Sequence, residues 1–134
     1  MSSYLILAID YPRQTIDGRV QQLARRHGWR LLRLERGEIA CRLRSSTSSS
    51  SVAIAATLPR AGHSALRAAF AALRRNDVVY GPDDGGHYWL IGRSRRRRMP
   101  RGMLRSALDD ALAAMPANFC VELLPSESYP PLRL

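Results

Sequence analysis
Two adjacent carboxylates, Asp83 and Asp84, followed at once by Gly85, Gly86 and His87, are the densest group of chemically capable residues in this chain of 134 residues. They lie within Asp77-Val-Val-Tyr-Gly-Pro-Asp-Asp-Gly-Gly-His-Tyr-Trp-Leu-Ile-Gly92, where one short apolar strand stops at Gly81-Pro82 and another begins at Tyr88. Carboxylates at the carboxyl end of a strand stand where open α/β sheets bind ligands. Gly85 and Gly86 let main-chain amides approach a bound group closely or take positive φ. The same residues suit a tight strand-to-strand connection in which Asp83 and Asp84 cap the turn, and on spacing alone that is the commoner outcome. His87 sits beside the glycines, but no Ser or Cys is spaced to pair with it as a nucleophile.

Other candidates have plainer readings. The segment Arg93 to Arg98 holds five arginines, and each guanidinium can grip a phosphate with two hydrogen bonds. No aromatics are interleaved for base stacking and no nucleic-acid motif is present, so a solvated basic loop is the expectation. His27 closes a helix, where its charge suits the dipole. His63 precedes a helix as a surface residue, and Trp29 and Trp89 fit core or pocket-wall positions. Cys41 and Cys120 have neither disulfide-framework nor metal-site spacing.

These residues must be positioned by a regular scaffold. Tyr4 to Ile9 is a continuous apolar run ended by Asp10 and Pro12, as in a strand buried on both faces. Ile16, Val20, Leu23 and Ala24 recur at helical spacing between a Thr15 cap and Gly28, and Trp29 to Leu34 follows as a strand. Ser45 to Ser51 reads as a flexible serine-rich connection. Val52 to Ala56 resumes as a strand, and Leu66, Ala69, Phe70 and Leu73 form a helical stripe with Asn76 at its C-terminal cap. After the Asp77–Tyr80 and Tyr88–Gly92 strands, Leu104 to Met115 has helical periodicity, Phe119 to Leu124 reads as the last strand, and Pro125 opens an irregular tail. The alternation predicts a single α/β domain over 1–134: a three-layer, mainly parallel sheet flanked by helices, with Ala53–Ala56 adjacent to Val78–Tyr80.

The formal net charge is +10, and all 21 basic residues are arginine. Such a surface attracts polyanions, whether nucleic acid, anionic lipid or a sugar nucleotide. No apolar run is long enough to cross a bilayer, and the apolar Tyr4–Ile9 stretch lacks a basic leader. Together with the two unpatterned cysteines, this predicts a cytoplasmic protein with no membrane partner.

The Asp84-Gly85-Gly86 and Tyr88-Trp89-Leu90-Ile91-Gly92 segments resemble the signature of a bacterial family of GT-A-like glycosyltransferases, a domain of unknown function that includes enzymes assigned to arsenosugar biosynthesis. That family's pattern is a strand, Gly-Pro, acids, Asp-Gly-Gly, an aromatic pair and Leu-Ile-Gly, so His87 is an extra residue here. Val52 to Phe70 resembles the family's preceding strand and helix without gaps. Gly37-Glu38-Ile39-Ala40-Cys41-Arg42-Leu43, with Trp29-Arg30-Leu31-Leu32 before it, resembles its Gly-Asp-Leu-Gly-Glu-Arg-Leu region.

The resemblance implies a GT-A/Rossmann-like fold and a nucleotide-activated sugar as donor. Asp84, assisted by Asp83, would serve as general base or metal ligand; Gly85 and Gly86 would offer amides; His87 and Tyr88 would line the acceptor pocket. The departures imply a degenerate site. Where the family has Thr-Asp-Cys-Pro-Asp this chain reads Ala56-Thr57-Leu58-Pro59-Arg60, losing two carboxylates that would hold a cation against the diphosphate. Arg60 could instead pair with the diphosphate directly. Ser126-Glu127-Ser128-Tyr129-Pro130 replaces the family's later Asp-Val-Asp-Thr-Pro, and Gln21 stands where its phosphate lysine would fall. In the preferred register, Leu5 to Leu34 matches the family's second strand–helix–strand unit, which makes the domain N-terminally shortened. The cation of such a site would be Mg2+ or Mn2+, but the lost acids favour none. The expected function is therefore a glycosyltransferase-like domain of weak or lost activity. The alternatives are a non-catalytic binding or homo-oligomerising domain and a charge-driven nucleic-acid binder.

Overall fold
The computed structural model describes residues 4–9, 18–45, 49–54, 62–129 and 131–134. Six strands form one sheet in the order β2-β1-β3-β5-β4-β6. They are β1 (Tyr4–Ile9), β2 (Arg30–Leu34), β3 (Ser50–Ile54), β4 (Val78–Pro82), β5 (Tyr88–Arg93) and β6 (Val121–Leu123). The helices are α1 (Gly18–His27), α2 (Arg36–Arg44), α3 (Gly62–Ala72) and α4 (Leu108–Ala113), with a 3-10 turn at Arg101–Leu104. β1 pairs in parallel with β2 and β3, and β4 with β6, whereas β5 runs antiparallel between β3 and β4.

Strand alternation divides the core into two sides. Ile6, Ala8, Val52, Ile54 and Val79 pack with Val20 and Ala24 of α1 and Leu66, Ala69 and Phe70 of α3. Leu7, Ala53, Val78 and Tyr80 face the other way, against Ile39 and Leu43 of α2 and Leu108 and Ala111 of α4. Apolar residues on both faces of one strand require helices on both faces of the sheet. The result is the three-layer α/β architecture that the alternation predicts.

Several local expectations need correction. β3 and β4 are not neighbours, because the short hairpin folds β5 back between them. α2 has no counterpart in the helices read from periodicity: Gly37 sits in its first turn and only Ile39 and Leu43 are buried, too few anchors to stand out. The serine-rich run is not wholly a connection. Ser50 and Ser51 begin β3, and Ser49, Ser50 and Ser51 are buried at 8%, 7% and 1% exposure. The helical pattern from Leu104 to Met115 breaks at Arg105 and Ala107, both extended. Main-chain contacts explain the break, since the Leu108 N–H donates to the Gly86 carbonyl at 2.9 Å. Gly28, at φ 69°, ends α1 as expected.

Candidate functional site
The chain leaves β1 toward β2 and returns on its other side as β3. In an open α/β sheet that reversal opens a crevice at the carboxyl ends of the two strands. The β4–β5 hairpin reaches the same edge, because Ile54 at the end of β3 pairs with Leu90 near the start of β5. Asp83, Asp84, Gly85, Gly86 and His87 therefore sit on the edge that the sequence assigns to ligand binding.

Within the hairpin, Asp83 shapes the turn. Its Oδ1 accepts the Gly85 and His87 N–H groups, both at 2.8 Å, while its own N–H donates to the His87 carbonyl at 3.0 Å. The capping reading thus holds for Asp83. Asp84 is exposed and, among the described residues, makes no hydrogen bond or ion pair. Gly85 and Gly86 are exposed, and Gly86 takes φ 81°, which suits glycine.

His87 is half-buried, with Nδ1 at 2.9 Å from the Ser106 carbonyl. A carbonyl only accepts, so Nδ1 carries the proton and Nε2 of the neutral ring is left as an acceptor. Sequence reading places His87 beside the glycines but not the Ser106 carbonyl that orients it, because Ser106 lies 19 residues away.

Tyr88 corrects the expectation of a pocket-lining side chain. It is fully buried on the α2/α4 side, edge-to-face with Tyr80 at 5.1 Å, and its hydroxyl has no hydrogen-bond partner among the described residues. The Tyr80 hydroxyl donates to the Met103 carbonyl at 2.6 Å. Burial pushes both phenols well above their ordinary range, with the neighbouring Tyr88 adding to the effect at Tyr80. Strand geometry gives the reason for this position: Gly81 faces Leu90 and Pro82 faces Tyr88, so Trp89 bulges from β5 and Tyr88 turns inward. Arg60, Thr57 and the rest of 55–61 lie outside the described residues.

Sequence reading missed the segment that closes this edge. The N–H groups of Leu124, Glu127 and Leu132 donate to the carbonyls of Tyr80, Pro82 and Tyr88 at 2.9, 3.0 and 2.8 Å. The supposed irregular tail is thereby bound along the hairpin. Tyr129 packs edge-to-face on Trp89 at 4.8 Å, and Trp89 Nε1 and the Tyr129 hydroxyl are buried without partners among the described residues. The indole lies so close to Gly81 that a Cβ there would come within 2.8 Å of two of its atoms. An aromatic residue among the prolines of the tail was the available signal.

The resemblance implies a divalent cation at this edge, which would need several oxygen donors from the protein. Asp83 has one carboxylate oxygen committed to the turn, and among the described residues Asp84 has no ion-pair partner and no group of three or more His, Cys, Asp or Glu could hold a metal. The described donors do not fit a protein-held cation, which needs several oxygens in a fixed arrangement.

Residues 6–108 match the bacterial family described as "Uncharacterized protein conserved in bacteria (DUF2064)". The fold matches that of a protein from Desulfovibrio desulfuricans G20 described as a "putative nucleotide-diphospho-sugar transferase", with a TM-score of 0.67 and 16% sequence identity. The match covers 94% of this chain and 81% of that one. At this identity the likeness establishes the fold. The comparison with curated proteins gave no match.

Proposed function
This chain belongs to that bacterial family, and from this premise we propose that it is a nucleotide-diphospho-sugar transferase-like domain whose catalytic activity is weak or lost. The observation that carries the reading is the acidic Gly-Gly hairpin on the carboxyl edge, beside the reversal between β1 and β3, in a transferase-like fold. The proposed donors are nucleotide-diphospho-sugars, and the sequence resemblance extends to family members assigned to arsenosugar biosynthesis.

In this reading Asp84 accepts the proton of an acceptor hydroxyl, and His87 Nε2 accepts a second hydrogen bond from the same substrate. Gly85 and Gly86 allow the ligand to approach the main chain, and Asp83 keeps the loop in shape. Transfer needs charge neutralised on the departing diphosphate, and losing that help costs orders of magnitude in rate. Arg60, standing where the family pattern has an acid, pairs with the diphosphate without a metal.

Titrating uridine and guanosine diphosphates, with Mg2+ or Mn2+ and with or without chelator, tests this. Weak affinity insensitive to chelator is expected, with little turnover of the corresponding sugar nucleotides. Strong metal-dependent binding abolished by Asp84→Ala would establish a working metal site and overturn the proposal.

A further inference from the structure
The arginine-rich segment after β5 has no part in the carboxyl-edge reading and folds at the opposite, amino edge of the sheet. Its arginines do different things. Arg93 is fully buried, its guanidinium donating to the carbonyls of Ser94, Arg97 and Arg42 at 2.9, 3.2 and 3.3 Å. Arg97 also turns inward: its Nε donates to Asp77 at 3.1 Å, its Nη2 to the Asn118 carbonyl at 3.1 Å, and its guanidinium lies 5.0 Å from the Phe119 ring centre. Between these anchors, the N–H groups of Arg95 and Arg96 donate to the hydroxyl oxygens of Ser50 and Ser94, each at 3.3 Å.

Arg95 and Arg96 thus project from a main chain fastened at four points. With Arg74, just beyond α3, they line a depression of about 260 Å³ whose walls include Ser50 and Ser94. All three arginines are exposed, and among the described residues no carboxylate lines the depression and none of the three guanidiniums has an ion-pair partner. Like charges lining one depression repel, and an anion between them removes that cost. The serine hydroxyls accept main-chain N–H groups and keep their own O–H to donate. Planar guanidiniums favour tetrahedral oxyanions that they can grip through two hydrogen bonds.

We propose that this depression is a phosphate-binding site, separate from the carboxyl-edge site, that takes two adjacent phosphoryl groups. The groups come either from free pyrophosphate or from a phosphodiester chain. Preorganisation of the loop by Arg93 and Arg97 makes it a localised site rather than diffuse charge.

The test is titration of the whole chain with pyrophosphate and, separately, with a mixed-sequence single-stranded oligonucleotide at low salt. Amide NMR shifts locate the binding, and affinities are read for wild type and two double variants. Pyrophosphate is expected to shift the Arg95 and Arg96 amides, and Arg95→Ala/Arg96→Ala is expected to weaken it by about tenfold or more. Arg44→Ala/Arg105→Ala removes equal charge from another depression, of about 500 Å³ between α2 and the 3-10 turn, and is expected to change affinity by less than about threefold. If the oligonucleotide binds at the same amides, a phosphodiester chain is a source of the ligand; if it does not, the site serves free diphosphate. Equal losses in the two double variants, or binding of the oligonucleotide without pyrophosphate, would overturn the proposal in favour of diffuse charge. Uridine diphosphate read at the Gly85 and Gly86 amides is an independent measurement, so failure of either site is visible without the other.

Discussion
The two edges of the sheet use polar residues in opposite ways. At the amino edge, charged side chains fasten structure. The Asp77 carboxylate accepts the Cys120 N–H at 2.8 Å and Arg97 at 3.1 Å, and buried Arg93 ties the end of α2 to the loop after β5. At the carboxyl edge, one carboxylate shapes one turn, and main-chain hydrogen bonds from the tail do the remaining fastening. Among the described residues the Asp84 carboxylate and the Nε2 of His87 are left for a ligand, whereas the Gly85 N–H and the Gly86 carbonyl are already taken by Asp83 and Leu108. Groups already satisfied by the protein are poorly placed to react, so the uncommitted carboxylate and imidazole nitrogen put chemistry at the carboxyl edge, while the arginines without ion-pair partners among the described residues fit the amino edge for binding.

Removing Arg93 should break the amino edge most severely. Arg93→Ala leaves the Arg97 carbonyl without a donor among the described residues, takes one of two donors from the Ser94 and Arg42 carbonyls, and opens a cavity, which should cost roughly 3 kcal/mol or more in urea denaturation. A loss below about 1 kcal/mol would mean that the guanidinium is not the fastening assigned to it. Burial lowers the Arg93 pKa, but arginine remains charged at neutral pH, so the loss should not depend on pH near neutrality.

Gly81→Ala probes the carboxyl edge by steric force. The added Cβ would lie 2.8 Å from Trp89 and 3.0 Å from the Leu90 Cβ. Trp89 is 1% exposed and cannot swing aside freely, so a destabilisation of about 1–3 kcal/mol is expected. A change in tryptophan fluorescence should accompany it; an unchanged melting temperature and spectrum would refute the tight packing.

The two hairpin aspartates separate structure from function. Asp83→Ala should cost about 1–2 kcal/mol because two N–H groups lose their acceptor, and Asp83→Asn should recover much of it. Asp84→Ala should leave chemical denaturation within about 0.5 kcal/mol of wild type. Equal stability losses at the two positions would erase the distinction between turn-former and free carboxylate.

The smallest effects are expected inside the core. Tyr80→Phe leaves the Met103 carbonyl without its donor and should cost about 1 kcal/mol, whereas Tyr88→Phe removes an unpartnered hydroxyl and should be neutral or slightly stabilising. Both folded-state phenols are raised, so their contribution is fully present below the unfolded value of about 10 and is lost as pH rises above it. Stability should therefore fall in alkali, less steeply in the Tyr80→Phe/Tyr88→Phe double variant. An identical alkaline slope would exclude these phenols as its source.

Much of the scaffold was legible because it depends on local periodicity. Tyr4–Ile9 reads as a doubly buried strand, Leu66 to Leu73 as a helical stripe, and Gly28 as a helix stop, each from residues within one element. α2 was not legible, since its two buried residues acquire meaning only when Leu7 and Ala53 supply a surface. The break at Arg105–Ala107 also escaped, because helical periodicity there loses to hydrogen bonds from the distant hairpin.

The sequence by itself determined an α/β domain with helices on both faces, the high positive charge, and an acidic Gly-Gly turn ending a strand, because these follow from residue type and short-range spacing. Tertiary structure alone decided that β5 intervenes between β3 and β4, that Tyr88 turns into the core, and that the tail lies along the hairpin. It also decided which arginines are fastened and which line the amino-edge depression. Each of these depends on which distant carbonyl or side chain a group meets, and that pairing is set by the register and packing of the whole sheet rather than by local preference.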